Sequence, residues 1–185
     1  MSFFPKPYAD RVARMRVTAG FIMVAAFAWF SEPTYSSLAI GLPVSLLGLL
    51  LRGWATGHLE KNIRLAESGP YAWVRNPLYL GTLLAAAGLA VGSRRWSLGA
   101  LFAAVFLLIY LPAIELEEQH LANLFPAFQE YARRVPALLP RPPRTASPEQ
   151  FRWSLYVHNR EYQALLGFLA GAGLLYAKVL VRTLR

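Results

Sequence analysis

Residues 78–114 hold two apolar runs, 78–92 and 96–114, separated only by Ser93, Arg94 and Arg95. Three polar residues between two apolar helices can do little but reverse the chain, so the spacing predicts an antiparallel helical hairpin. Apolar runs of this length approach what a helix needs to cross a bilayer, and a helix there satisfies its own backbone polar groups. Three more runs have the same character: 17–30; 38–56, interrupted by Pro43 and Arg52; and 162–181, where Lys178 is close enough to the end to snorkel. The run at 17–30 is short and takes its remaining length from the residues before it. Apolar residues make up 56% of the chain and charged residues only 16%, far from an average soluble domain. The reading is an all-α integral membrane protein forming one membrane domain over 1–185. It has about five transmembrane helices, the tight hairpin at 78–114, and interfacial helices.

The formal net charge of +9 would suit a nucleic-acid partner, but the basic residues cluster at the ends of apolar runs and form no basic face. Membrane lipids are the expected partners, and nucleic acid is not. Thirteen basic residues lie in 1–16, 57–77 and 115–161, against five on the alternate side. This places the N-terminus, the 57–77 loop and the glutamates after Ile114 on the cytoplasmic face. The 1–16 and 17–30 pair resembles the start of a signal peptide, yet Ser31-Glu32-Pro33 offers no small-residue cleavage site. Cysteine is absent, and His58, His120 and His158 are scattered without ligand spacing, so no metal site is expected.

Between the runs, Leu59, Ile63 and Ala66 recur at helical spacing and predict an amphipathic helix in the first half of the 57–77 connector. Leu121, Leu124, Phe125, Phe128 and Tyr131 predict another, with a bend at Pro126. The prolines from Val135-Pro136 to Pro143 predict an extended crossing. Ser147-Pro148-Glu149 reads as a helix start, and Phe151, Arg152, Trp153, Tyr156 and His158 as an interfacial belt.

The chemistry falls into two clusters. Gly69-Pro70 and Asn76-Pro77 punctuate a loop carrying Tyr71, Arg75 and Asn76, with Tyr79 just beyond it. Glu115, Glu117 and Glu118 follow the fourth apolar run. The hairpin sets its two open ends side by side, which predicts Arg75 and Asn76 close to Glu115–Glu118, where charge-assisted hydrogen bonds form. Such a pair can simply pin helix ends, although ionisable groups at membrane depth are functional candidates.

Gly69-Pro70-Tyr71, then Arg75-Asn76-Pro77-Leu78-Tyr79-Leu80-Gly81, resembles the central motif of the isoprenylcysteine carboxyl methyltransferase and phospholipid methyltransferase superfamily. Arg52-Gly53-Trp54-Ala55 resembles the Arg-x-Trp-Ala that precedes that motif, although Arg52 also reads as a snorkelling residue. Glu117-Glu118, Leu121, Phe125, Phe128, Tyr131 and Val135-Pro136 are similar to the second motif, so the resemblance covers about 50–141, a methyltransferase-like core. The chain departs from the pattern at Asn76, where histidine is commonest, and at Pro112-Ala113-Ile114, where relatives often carry a basic residue.

The resemblance implies an S-adenosylmethionine-dependent methyltransferase of the inner membrane that acts on a lipophilic acceptor, either an isoprenylcysteine-like carboxylate or a lipid such as a phospholipid amine. It implies that Gly69, Tyr71, Val74, Arg75, Asn76 and Tyr79 wrap the cofactor while Glu117 and Glu118 hold its amino group or ribose. Neighbouring helical residues face apart, and Glu118 shares a face with Leu121 and Phe125, so Glu118 is the favoured contact. Transfer of an activated methyl group needs alignment more than acid–base chemistry. Arg75, Asn76 and Glu118 would provide the alignment, and no residue stands out as a nucleophile or base. Arg52, Arg133 and Arg134 could orient a carboxylate acceptor; Glu115 or Tyr131 could orient an amine. His120 reads as a surface or packing histidine. The C-terminal unit, 146–185, lies outside the resemblance and is expected to cover a substrate opening or to mediate self-association. Two rivals stand beside this reading: a sterol-type reductase, whose signature is broken at Leu78 and Thr82, and a non-catalytic lipid-binding protein.

Overall fold

The computed structural model describes residues 5–143 and 149–184. Helix α1 spans Lys6–Phe30 and α2 spans Tyr35–Thr56. The second begins in a capping box: the Ser37 amide donates to the Thr34 hydroxyl and the Thr34 amide to the Ser37 hydroxyl. A connector with one 3-10 turn at Gly69–Ala72 leads to α3, Pro77–Ser93. Helix α4 runs through Trp96–Leu124, followed by α5 at Phe128–Arg134, α6 at Trp153–His158 and α7 at Tyr162–Thr183. The described residues contain no strand. The architecture is that of an all-α membrane protein, and every apolar run in the sequence forms a helix. By length and composition α2, α4 and α7 suffice to cross a membrane, whereas α3 and the apolar part of α1, Thr18–Phe30, are shorter.

The turn after α3 is built by Arg94 in the left-handed region at φ 55°, and it is fastened to the α1–α2 connector. There the Glu32 amide donates to the Ser93 carbonyl at 2.8 Å, and Arg95 pairs with Glu32. The closest neighbour of α3 is nevertheless α2. Ser37 and Ser45 hydroxyls on α2 donate to the Gly92 and Ala85 carbonyls at 2.9 and 2.7 Å. A Cβ placed on Gly88 would lie 2.4 Å from the Gly41 carbonyl oxygen, so the small residues of α3 exist for backbone-to-backbone approach.

Inside α4 one turn, Phe106–Tyr110, is a π-helix. It precedes Pro112, which has no amide to offer the Leu108 carbonyl. That carbonyl instead accepts the Tyr8 hydroxyl of α1 at 2.7 Å. Lys178 does not snorkel. Its ammonium donates to the Ala28 and Trp29 carbonyls at 2.9 and 3.1 Å and so caps the end of α1, while Leu175 and Val179 pack on Leu38.

One expected helix is not formed, and another begins at a later residue among those described. Residues 57–68 are turns rather than an amphipathic helix: Asn62 sits at φ 60°, which interrupts helical geometry, and the segment is held by side chains. Ser147 and Pro148 lie outside the described residues. Glu149–Arg152 is irregular and the helix starts at Trp153, because Glu149 and Arg152 are drawn to Arg64 and Glu60. The break between α4 and α5 falls at Phe125-Pro126, as the bend at Pro126 predicts.

Candidate functional site

Residues 135–141 lie along the Gly-Pro loop and clamp it. The amides of Arg75 and Asn76 donate to the Pro136 and Ala137 carbonyls at 2.8 and 3.2 Å, and the Arg141 amide donates to the Trp73 carbonyl at 3.0 Å. This clamp directs Arg75 at the last turns of α4. Its Nε and Nη2 donate to the two oxygens of Glu118 at 2.9 and 3.0 Å, and Nη1 donates to the Ala132 and Val135 carbonyls at 2.7 and 3.0 Å. The amide of the Asn76 side chain donates to Glu118 Oε1 at 2.8 Å and to the Ala137 carbonyl. The pair is largely shielded, with 15% and 23% of the two side chains exposed. A bidentate charge-assisted pair in that setting fixes both partners in position.

The adjacent Glu117 accepts the Tyr79 hydroxyl at 2.9 Å. Beside it opens a cavity of about 770 Å3, lined among others by Tyr71, Arg75, Asn76, Tyr79, Glu117 and Glu118. Lys61, Asn62 and Arg64 of the 57–68 turns form another wall, with Arg52, Thr82, Tyr110 and His120 also on the lining. The volume is ample for a cofactor-sized ligand.

The structure separates the sequence candidates. Arg75, Asn76, Tyr79, Glu117 and Glu118 meet at one place. Both carboxylates line the cavity: Glu118 accepts from Arg75 and Asn76, while the more exposed Glu117 accepts from Tyr79. Gly69 and Val74 are not on the cavity lining. Gly69 sits at φ 56° with the His58 ring against it, where a Cβ would come within 2.6 Å, and Val74 is 1% exposed core. Tyr71 and Tyr131 line the cavity, and the Tyr131 hydroxyl donates to the Tyr71 carbonyl at 2.8 Å. Burial first, and then Tyr131 and Glu117 beside Tyr71 and Glu67 beside Tyr131, push both hydroxyls well above the ordinary phenol range, so they stay protonated. Arg133 and Arg134 are exposed on α5, off the lining, and Arg134 faces Glu67 at 3.1 Å. Arg52 does line the cavity, but it is held in a bidentate pair with Glu161 at 2.6 and 3.0 Å and donates to Thr82 at 2.7 Å.

Glu161 and the turn residues Lys61, Asn62 and Arg64 were not anticipated. For Glu161 a signal existed: a lone carboxylate directly before a span calls for a cationic partner. The turns are pinned by a network at their rear. Buried His58 places Nδ1 3.0 Å from the Ser68 hydroxyl, which donates to Glu149 at 2.8 Å, while Arg64 grips both Glu149 oxygens. Burial lowers the pKa of His58, against the pull of Glu149 and with help from Arg64 and Arg152. Arg64 and Ser68 lower that of Glu149.

An apolar helical bundle thus presents a clamped arginine–glutamate pair beside a cavity where the polar loop meets the helices. The chain belongs to the phospholipid methyltransferase family, whose model matches residues 15–127, within the isoprenylcysteine carboxyl methyltransferase-like superfamily. It is similar to the cobalt-zinc-cadmium resistance protein CzcN of Cupriavidus metallidurans, with 33% identity over 141 residues that cover 71% of this chain and 64% of that protein. It is also similar to the nickel-cobalt-cadmium resistance protein NccN of Alcaligenes xylosoxydans xylosoxydans, with 32% identity over 139 residues that cover 71% and 65%. The match thus takes in less than two thirds of either relative. No solved structure matches the chain.

Proposed function

We propose that the protein transfers a methyl group from S-adenosylmethionine to the polar head of a lipophilic acceptor, with the site at the cytoplasmic face of the inner membrane. The observation that carries this is the Arg75–Glu118–Asn76 clamp, which leaves the Glu117 carboxylate beside a large cavity at the junction of apolar helices and polar loop. The donor set suits the cofactor: Glu117 for an ammonium or ribose hydroxyls, Lys61 for a carboxylate, and Tyr79 and Tyr110 for apolar faces. When bound, the cofactor supplies a methyl carbon whose bond to sulfur breaks, with its electron pair left on sulfur, as the acceptor's lone pair forms the new bond. The chain's own work is to hold and shield. Arg75 and Asn76 fix α4 against the loop, and the 57–68 turns keep water off one side.

The relatives' names record resistance to metal ions. The carboxylates gathered here are directed at Arg75, Asn76 and Tyr79 rather than converging as ligands, which favours methyl transfer over metal binding for this chain. Calorimetric titration of the purified protein with S-adenosylmethionine tests the proposal. Saturable binding that weakens about 10-fold or more in Glu117→Gln, the loss of a charged hydrogen-bond acceptor, is the expected result. Binding of NADPH in place of S-adenosylmethionine would overturn it in favour of a reductase.

A further inference from the structure

We propose that a second hollow, between α2 and the chain from Phe151 to Leu165, seats the apolar chain of the methyl acceptor; this rests on the methyltransferase reading above. The groove measures about 340 Å3. One wall is a single face of α2, on which Leu46, Leu50 and Gly53 recur at helical spacing; the other carries Phe151, Tyr156 and Leu165. The second wall lies entirely beyond the family's matched segment, residues 15–127.

What ties the groove to the reaction cavity is one ion pair. Glu161 lines the groove and is 8% exposed. Its carboxylate is gripped by Arg52, which lines the larger cavity and reaches Thr82 there. The two hollows therefore share the Arg52–Glu161 pair as a partition. The pair is built in from several directions. Arg160 turns in the left-handed region at φ 54°, and Asn159 donates to the Thr56 and Leu59 carbonyls at 3.1 and 3.0 Å, which fastens this corner to the end of α2. Such a layout fits a molecule with an apolar chain and a polar, nucleophilic head. The chain lies in the groove at membrane depth and the head sits at the charged partition where the cavity begins. Gly53 keeps the floor open: a Cβ there meets only the Tyr156 ring, at 3.5 Å, so helix packing does not require glycine at this position.

Trp54 and Trp153 line the groove and report on it. With Trp29, Trp73 and Trp96 changed to Phe, the protein in unbrominated micelles is titrated with a long-chain fatty acid brominated along its chain. The expected result is saturable quenching, competed by the unbrominated acid and weakened at least 5-fold by Gly53→Leu and by Leu165→Phe, which fill the groove from opposite walls. S-adenosylmethionine affinity, measured on the same samples, stays unchanged and shows that the filled variants are folded. Quenching that rises linearly with probe and is equal in the filled variants means annular lipid only and overturns the groove. Loss of S-adenosylmethionine binding in the unfilled protein would sink the methyltransferase reading alone, since the quenching does not depend on it.

Discussion

At the scale of single residues, Arg75 does what lysine cannot. Its planar fork meets both Glu118 oxygens while Nη1 satisfies the Ala132 and Val135 carbonyls, whereas an ammonium gathers its three donors on one atom and cannot span these four acceptors. Arg75→Lys keeps the charge but orphans buried acceptors, at about 1–3 kcal/mol each. We expect S-adenosylmethionine binding to weaken about 10-fold or more, measured by the same titration, and charge retention without loss of affinity would refute the clamp. His58 gives a pH prediction. Its folded pKa lies below the ordinary 6.5 because of burial, so at pH values just under 6.5 the unfolded chain binds more protons than the folded one. Stability therefore falls as pH drops from 6.5 through the depressed folded value. The lowered Glu149 acts in the same direction further down, being lost as pH falls through the carboxylate range. Thermal unfolding in detergent between about pH 8 and pH 5 should show this decline near the histidine range, and His58→Gln should flatten that part of the profile.

At the scale of elements, the decisive contact is α2 on α3. Gly41, Ser45 and Gly48 meet Gly81, Ala85 and Gly88 at backbone-to-backbone range, with the Ser45 hydroxyl and the stem of Arg52 reaching into the seam. A methyl group at Gly88 would lie 2.4 Å from both the Gly41 oxygen and Ser45 nitrogen, and rigid backbone cannot give way. Gly88→Ala should destabilise by about 1–3 kcal/mol, the usual cost of overpacking, seen as a lowered unfolding temperature; Gly173→Ala, in a helix interior where nothing lies within 4 Å, is the control and should not lower it. The π-helical turn in α4 belongs to the same scale. Pro112 has no amide for the Leu108 carbonyl, and the hydroxyl of Tyr8 donates to that carbonyl from α1.

At the scale of the molecule, the C-terminal chain is fastened over the family core by ion pairs. Arg52–Glu161 is the most shielded of these, with side chains 24% and 9% exposed. Removing one partner strands a buried charge, which costs about 3–5 kcal/mol, whereas replacing both with apolar residues is often neutral. Glu161→Leu should therefore lower stability strongly, and Arg52→Leu combined with it should recover most of the loss. A double-mutant cycle on unfolding midpoints checks this, and additive losses would show the pair to be idle.

The sequence by itself determined the helical, membrane-embedded class and the junction that bears the site. Continuous apolar runs broken at Ser93-Arg94-Arg95 admit little else, and the hairpin they force brings Arg75 to Glu118. Local pattern could not determine what depends on a partner remote in the chain. The helical spacing of Leu59, Ile63 and Ala66 yields to Asn62 and the His58–Ser68–Glu149 network. The pairing of Arg75 with Glu118 depends on residues 135–137 clamping the loop, and Arg52 finds its carboxylate 109 residues away. Periodicity records which face of an element is apolar. Only the folded chain decides which buried charge meets which, because a charge out of water takes whatever partner the packing brings within reach.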